Sequence, residues 1–351
     1  MGGRPVSSDD QENDAEGPSE GRALRASHDD DVATVTTEMD APTDNARKRK
    51  RRGFFASGTA RWPMITAFVL PALALYVVFV IYPITQSARY SVFDWNGLEP
   101  LTDFVGIDNF KTAFGDPAFL GAMRHNVIII VLSLLLQIPF SLLVAVMLNQ
   151  NLRGRVMLRV FFFAPYILSE VVTGVVFRQI LRPDGFADHV LATAGGEGLI
   201  QTWLGNPTIV LYTLFFVITW KYFGFHMILL LAGLQLIPHE LDEAAAIDGA
   251  SFWQRFRYVT LPLVGPTLRV SVFLSIIGSL QLFDLVWVMT KGGPVNASST
   301  MATYLVDWGF RRSQFGYASA VSVIIFMVSL VVALLYNHFV LKRDLEGAVT
   351  G

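Results

Sequence analysis

Four ionisable side chains fall inside otherwise apolar runs: Glu170, Lys221, Arg269 and Asp284. In hydrocarbon an uncompensated charge is strongly destabilised, so such residues face a bundle interior, find a partner, or meet a solute that passes through. Arg269 lies a turn or two from one end of its run, close enough for its stem to carry the guanidinium to an interface. Asp284 lies near the other end of the same run and suits a structural hydrogen bond. Glu170 and Lys221 belong nearer mid-depth, where two roles are open to them. They pair, with each other or with another structural partner, or they contact a substrate directly.

Other chemistries lack their residues. There is no Gly-x-x-x-x-Gly-Lys-Ser/Thr segment to cradle a nucleotide phosphate. His239-Glu240 is followed by Glu243 where a zinc-binding helix needs its second histidine. The six histidines are scattered and there is no cysteine, which removes disulfides, thiolate metal sites and thiol catalysis. No catalytic residue and no metal ligand is assigned, no cofactor is expected to bind the chain itself, and nucleic acid is not an expected partner. Gly292-Gly293-Pro294 reads as a turn, either a plain reversal or a contact for another protein.

The elements that must position the ionisable residues are membrane helices. Hydrophobic residues make up 52% of the 351, charged residues only 16%, and there are 27 Phe, whereas a soluble domain is about 25% charged. Six segments have roughly the 20 residues needed to cross a bilayer. They are placed near 63–85, 126–149, 158–181, 208–236, 264–289 and 316–340. The fourth is the longest and is interrupted by Lys221 and Gly224, which suggests a tilt, a kink or an extension beyond the membrane, within one helix.

Between the fourth and fifth segments, residues 238–263 are too polar for lipid. Pro238 can occupy the first position of a helix, with Glu240, Asp242 and Glu243 supplying negative charge to its first turn. Leu241, Ala244 and Ala245 form a narrow face. Gly249 allows the positive φ that stops this helix, and Ser251 with Gln254 has the spacing of a capping box that starts a second. Phe252, Phe256 and Val259 line that second helix, and Pro262 is expected to close it.

Charge is unevenly spread. Residues 1–46 hold 12 acidic and 3 basic side chains, with no aromatic residue and no apolar periodicity, so this tail is expected to be disordered. Residues 47–52 are all Lys or Arg, an anchor before the first span that can also bind anionic membrane lipid. Basic residues on alternate sides of the six segments number fourteen against eight. The richer side includes both termini and the 238–263 loop, which are therefore expected in the cytoplasm of a bacterial plasma membrane.

The segments Glu243-Ala244-Ala245, Asp248-Gly249-Ala250 and Leu261-Pro262 resemble the coupling loop of permease subunits in ATP-binding-cassette importers. Further matches are Tyr82-Pro83, Val105-Gly106-Ile107-Asp108-Asn109-Phe110, Phe283-Asp284, Thr290-Lys291-Gly292-Gly293-Pro294 and Gly316-Tyr317-Ala318-Ser319-Ala320. Together they are similar to the maltose/glycerol-phosphate branch of binding-protein-dependent carbohydrate importers, from about Trp62 to Lys342. The resemblance implies an all-α integral membrane protein of the type I importer fold. A six-helix transmembrane domain would occupy 61–345, following a 1–60 tail and preceding a short 346–351 tail. It also implies a second permease subunit, a dimer of ATPases that use ATP and Mg, and an extracytoplasmic solute-binding protein that delivers a sugar.

On the same grounds Glu243, Ala244, Ala245, Asp248, Gly249, Leu261 and Pro262 are the expected ATPase-coupling residues. Positions corresponding to the family's sugar contacts are Ile218, Lys221, Tyr222, Phe225, Ser275, Gly278 and Ser279, with Glu170 a further candidate. The match is partial: Ile218, Tyr222 and Phe225 stand where the maltose-type relative has asparagine, glycine and tyrosine, and Ser279 replaces a second asparagine. The cavity then recognises a different solute, or leaves selection to the binding protein. Two other classes, an ion-coupled secondary transporter and a polytopic membrane enzyme, would need a proton or sodium relay in inverted repeats or an interfacial cluster of His, Asp or Glu. Neither feature is found.

Overall fold

The computed structural model of the chain describes residues 61–341. The acidic tail, the basic run at 47–52 and residues 342–351 lie outside them. Contacts divide the chain at residue 67, and of the first unit only the opening turns of the first helix are described. Regular structure among the described residues is helical apart from one antiparallel bridge, Phe93 with Phe104.

Among the described residues four helices are long and apolar enough to cross a membrane: α1 (Ile65–Tyr90), α3 (Pro117–Asn149), α7 (Val210–Gln235) and α13 (Phe315–Val340). Short α2 (Asp108–Gly115) precedes α3, and α6 (Phe186–Thr193) lies between the third and fourth apolar segments. Two further apolar stretches reach the same length only as bent helix pairs. The stretch expected as one helix at 158–181 is α4 (Arg155–Ile167) and α5 (Glu170–Ile180), bent by 94°. The stretch expected at 264–289 starts from α9 (Phe252–Leu263), turns by 68° into α10 (Gly265–Leu280), and is interrupted again before α11 (Asp284–Met289). Hydropathy could not show these breaks, because the residues at them, Leu168-Ser169 and Gln281-Leu282-Phe283, are mostly apolar.

The fourth apolar segment is one helix, as expected: α7 runs unbroken through Lys221 and Gly224. Gly224 serves a crossing. A Cβ at this position would lie 2.0 Å from the Phe162 carbonyl oxygen, so only glycine lets α4 pass this close. Gly316 does the same for α13, where a Cβ would lie 2.0 Å from the Phe93 oxygen. That loop is tied down by Asn109, whose Nδ2 donates to the Ser91 and Phe93 carbonyls at 2.9 Å each.

Among the described residues, three prolines inside apolar helices follow a widened turn, whereas Pro71 of α1 and Pro165 of α4 sit in the helix without one. A five-residue π turn precedes Pro83 (Val77–Ile81), Pro139 (Ser133–Gln137) and Pro262 (Phe256–Thr260). In each case the carbonyl four residues before the proline, which would clash with its ring and lack an N–H partner, is the centre of the widened turn. Pro262 therefore does not end its helix as expected. The turn comes at Val264, two residues later.

α7 forms the centre, with Val210, Leu214, Val217, Met227 and Leu230 wholly buried. Its first half packs with α3, α5 and α11 through Ile129, Leu181 and Leu285, and its second half with α3 through Leu142, Ala145 and Leu148. A separate cluster around Phe119, Met301, Tyr304 and Tyr317 joins α3, α12 (Met301–Val306) and α13. Asn126 stitches α3 into this arrangement, donating from Nδ2 to the Ser279 carbonyl at 2.7 Å and accepting from the Met301 N–H at 2.9 Å. α1 is the opposite of α7: no residue in its most apolar window is buried, and Phe68 and Phe79 point outward.

Candidate functional site

Inside the bundle lies a cavity of about 350 Å³. Its wall uses one stripe of α7, Ile218, Tyr222, Phe225 and His226, and one of α10, Ser275, Gly278 and Ser279. Both stripes follow the spacings of three and four residues that share a helix face. The broken stretches supply the remainder. Tyr166 lies in the last turn of α4, Glu170 begins α5, Gln281 lies in the gap after α10, and Asp284 begins α11. α3 adds Ser133 and Gln137. The wall thus mixes hydroxyls, amides and carboxylates with aromatic faces; Tyr166 and Phe225 stack at 4.9 Å with 24° between their planes.

Of the residues expected to contact substrate, Glu170, Tyr222, Phe225, Ser275, Gly278 and Ser279 come together in this wall. Lys221 does not. It sits at the edge of the α7 stripe, 2% exposed, and its Nζ donates to the Leu168 carbonyl at 2.5 Å. Leu168 is the residue that ends α4, so the ammonium satisfies a carbonyl that helix geometry leaves without an intrahelical donor and meets the negative end of the helix dipole. The Glu170–Lys221 pair is not formed. Glu170 accepts instead from the Tyr222 hydroxyl, at the first position of α5, where a carboxylate is favoured by the dipole.

Asp284 also departs from expectation. Its carboxylate makes no structural hydrogen bond among the described residues and is exposed in the cavity wall. Arg269 lies near the start of α10, where a Cβ on Gly265 would approach its Nη1 to 3.3 Å, so the side chain points back toward that end of the helix. Sequence reasoning missed Ser133, Gln137, Tyr166, His226 and Gln281. The first two had a signal, polar residues four apart in an apolar run, and His226 follows Tyr222 by the same interval. Its ring Nδ1 lies 2.8 Å from the Ser271 hydroxyl. Tyr166 and Gln281 had none, since each depends on a break.

At one end of α7 the 238–263 segment forms a hairpin of α8 (His239–Ile247) and α9. Pro238 caps α8 from outside its first position rather than occupying it. Gly249 has φ +80°, and the capping box is complete, with Gln254 Oε1 accepting from the Ser251 N–H at 2.7 Å and Ser251 Oγ from the Gln254 N–H at 3.4 Å. Arg255 closes the hairpin by donating to Asp242 at 2.7 Å. Glu243 and Ala244 are exposed and Ala245 partly so. Ala245, Asp248 and Gly249 line one shallow depression, and Phe252, Phe256 and Val259 line another that faces the ends of α3 and α7.

Residues 137–344 match the family described as binding-protein-dependent transport system inner membrane component. A probable ABC transporter permease of Pyrococcus horikoshii is 34% identical over 284 residues, covering 80% of this chain and 97% of its own. The lactose transport system permease protein LacF of Rhizobium radiobacter is 35% identical over 281 residues, 79% of this chain and 93% of its own. Among solved structures, a bacterial ABC transporter involved in the import of the acidic polysaccharide alginate superposes with a TM-score of 0.72 at 25% identity, covering 81% of this chain and 96% of that one.

Proposed function

The chain belongs to the binding-protein-dependent transport system inner membrane component family and is an integral membrane permease subunit of such an importer, and from this premise we propose that it moves a sugar by alternating access. The observation that carries the proposal is the cavity: its hydroxyls, amides and carboxylates, set between aromatic faces, suit the polar edges and apolar faces of a pyranose ring. A relative named for lactose transport supports the same substrate class.

In this reading residues 61–345 make six crossings, the two bent pairs counting as one crossing each, with both termini and the α8–α9 hairpin in the cytoplasm. A second permease subunit completes the pathway, and a solute-binding protein delivers sugar from outside. The sequence carries no P-loop motif, and in this reading a dimer of partner ATPases uses ATP and Mg. Glu243, Ala244, Ala245, Asp248 and Gly249 form the surface that docks on the ATPase, and Leu261 with Pro262 passes its movement into α10. The bend of 68° between α9 and α10 supports this role, since a displaced hairpin would act on α10 as a lever.

The test is reconstitution of the whole importer in proteoliposomes with labelled neutral disaccharides. Uptake should require both ATP and the solute-binding protein. Uptake driven by an ion gradient in the absence of ATP would overturn the proposal.

A further inference from the structure

The ionisable groups of the cavity wall are unbalanced. Glu170 and Asp284 are both in it, and no lysine or arginine is. The nearest ammonium, Lys221, is turned out of the wall and committed to the Leu168 carbonyl. The wall's one other basic group, the ring of His226, is buried and tied through Nδ1 to Ser271. Glu170 is held in place by the Tyr222 hydroxyl, and Tyr222 lies within electrostatic reach of both carboxylates. Asp284 has no partner among the described residues, so its charge faces the cavity uncompensated.

We propose that Glu170 and Asp284 make this cavity a charge filter. It rejects sugars that carry a carboxylate or phosphate and admits neutral or amino-bearing ones. This deepens the sugar reading and rests on it. The physics is like-charge exclusion: on entering the cavity an anionic solute would shed part of its hydration and meet two fixed negative charges, of which only Glu170 has a cation, Lys221, within electrostatic reach. A hydroxyl or a protonated amine would instead find acceptors in both carboxylates.

The filter is tested on the purified importer complex in nanodiscs without the solute-binding protein, so that the latter's own selectivity does not intervene. Equilibrium dialysis would use labelled neutral disaccharides together with their uronic-acid and amino analogues. The wild-type complex should bind the uronic acids at least about tenfold more weakly than the neutral sugars, the effect of one like charge roughly 12 Å away at an effective dielectric of about 20. In Asp284→Asn, which breaks no hydrogen bond, the ratio of anionic to neutral affinity should rise severalfold. It should rise further in Glu170→Gln/Asp284→Asn.

Equal wild-type affinity for neutral and anionic sugars, or a ratio unmoved in Asp284→Asn, overturns the filter while leaving a sugar permease in place. Failure of every sugar to bind, together with failure of ATP-driven uptake in proteoliposomes, removes the sugar reading and the filter with it.

Discussion

The α8–α9 hairpin and the cavity differ in how far their determinants lie apart in the chain. Every device in the hairpin acts over three or four residues: acidic side chains in the first turn of α8, Gly249 at φ +80°, the reciprocal Ser251–Gln254 cap. The cavity instead joins Ser133 of α3 to Asp284 of α11, and its wall draws on residues at two helix breaks and on α7, whose crossing with α4 one glycine allows. Local chemistry is written in short patterns. Long-range geometry is carried by single residues whose reason lies elsewhere in the fold.

The largest effect should come from the residue that most depends on that distant geometry. Gly224→Leu would drive a side chain into the Phe162 backbone, which cannot retreat without moving α4 and with it Tyr166 and the break that presents Glu170. Overpacking typically destabilises by about 1–3 kcal/mol, and backbone contact belongs at the upper end. The expected outcome is loss of the assembled complex in detergent, measured by size-exclusion chromatography. A variant that assembles normally would show that α4 and α7 can separate freely.

Gly249→Val examines the hairpin in the same way, with a different result expected. A Cβ there meets nothing within 4 Å, so packing is untouched and the cost is local: a β-branched residue in the left-handed region, about 1–2 kcal/mol or more. The complex should assemble, while the hairpin loses its bend and sugar-stimulated ATP hydrolysis falls to the unstimulated level. Stimulation at the wild-type rate would count against the hairpin as the coupling element.

Much of the fold was legible because helices report themselves locally. Apolar runs located the four long helices and the two bent pairs, and the hairpin's turn and second cap were readable residue by residue. The breaks at Leu168-Ser169 and Gln281-Leu282-Phe283 were not, because hydropathy is blind to backbone direction. Lys221 shows the consequence. From sequence it was a charge in need of Glu170, another structural partner or a substrate; with the break in view, that structural partner is a main-chain carbonyl that a continuous helix would have satisfied itself. Tyr166 and Gln281 were invisible for the same reason. Family-like motifs partly concealed packing roles, as at Asn109 and Gly316, whose contacts fasten one loop.

Lys221→Met sharpens the distinction between wall and support. It removes the ammonium but keeps most of the stem, leaving the Leu168 carbonyl without its donor, a cost of about 1–3 kcal/mol, partly offset because a charge no longer has to be buried. If Lys221 only holds the break, the variant should show a lower transport rate with an unchanged order of preference among sugars. Lys221→Arg, which retains a donor, should restore part of the rate. A changed order of preference would return Lys221 to the cavity wall.

The smallest effect belongs to Ser251→Ala. It removes one half of a reciprocal cap on an exposed helix start, and such caps contribute about 1 kcal/mol. Gln254 would still accept from the residue-251 N–H, and Gly249 would still set the bend, so the hairpin should fray without changing direction. Amide exchange at residues 252–255 should quicken while stimulated ATP hydrolysis falls by less than half. A loss as severe as that of Gly249→Val would mean that the cap, not the glycine, fixes the angle at which α9 enters α10, and that the hairpin is as dependent on cooperation between residues as the cavity is.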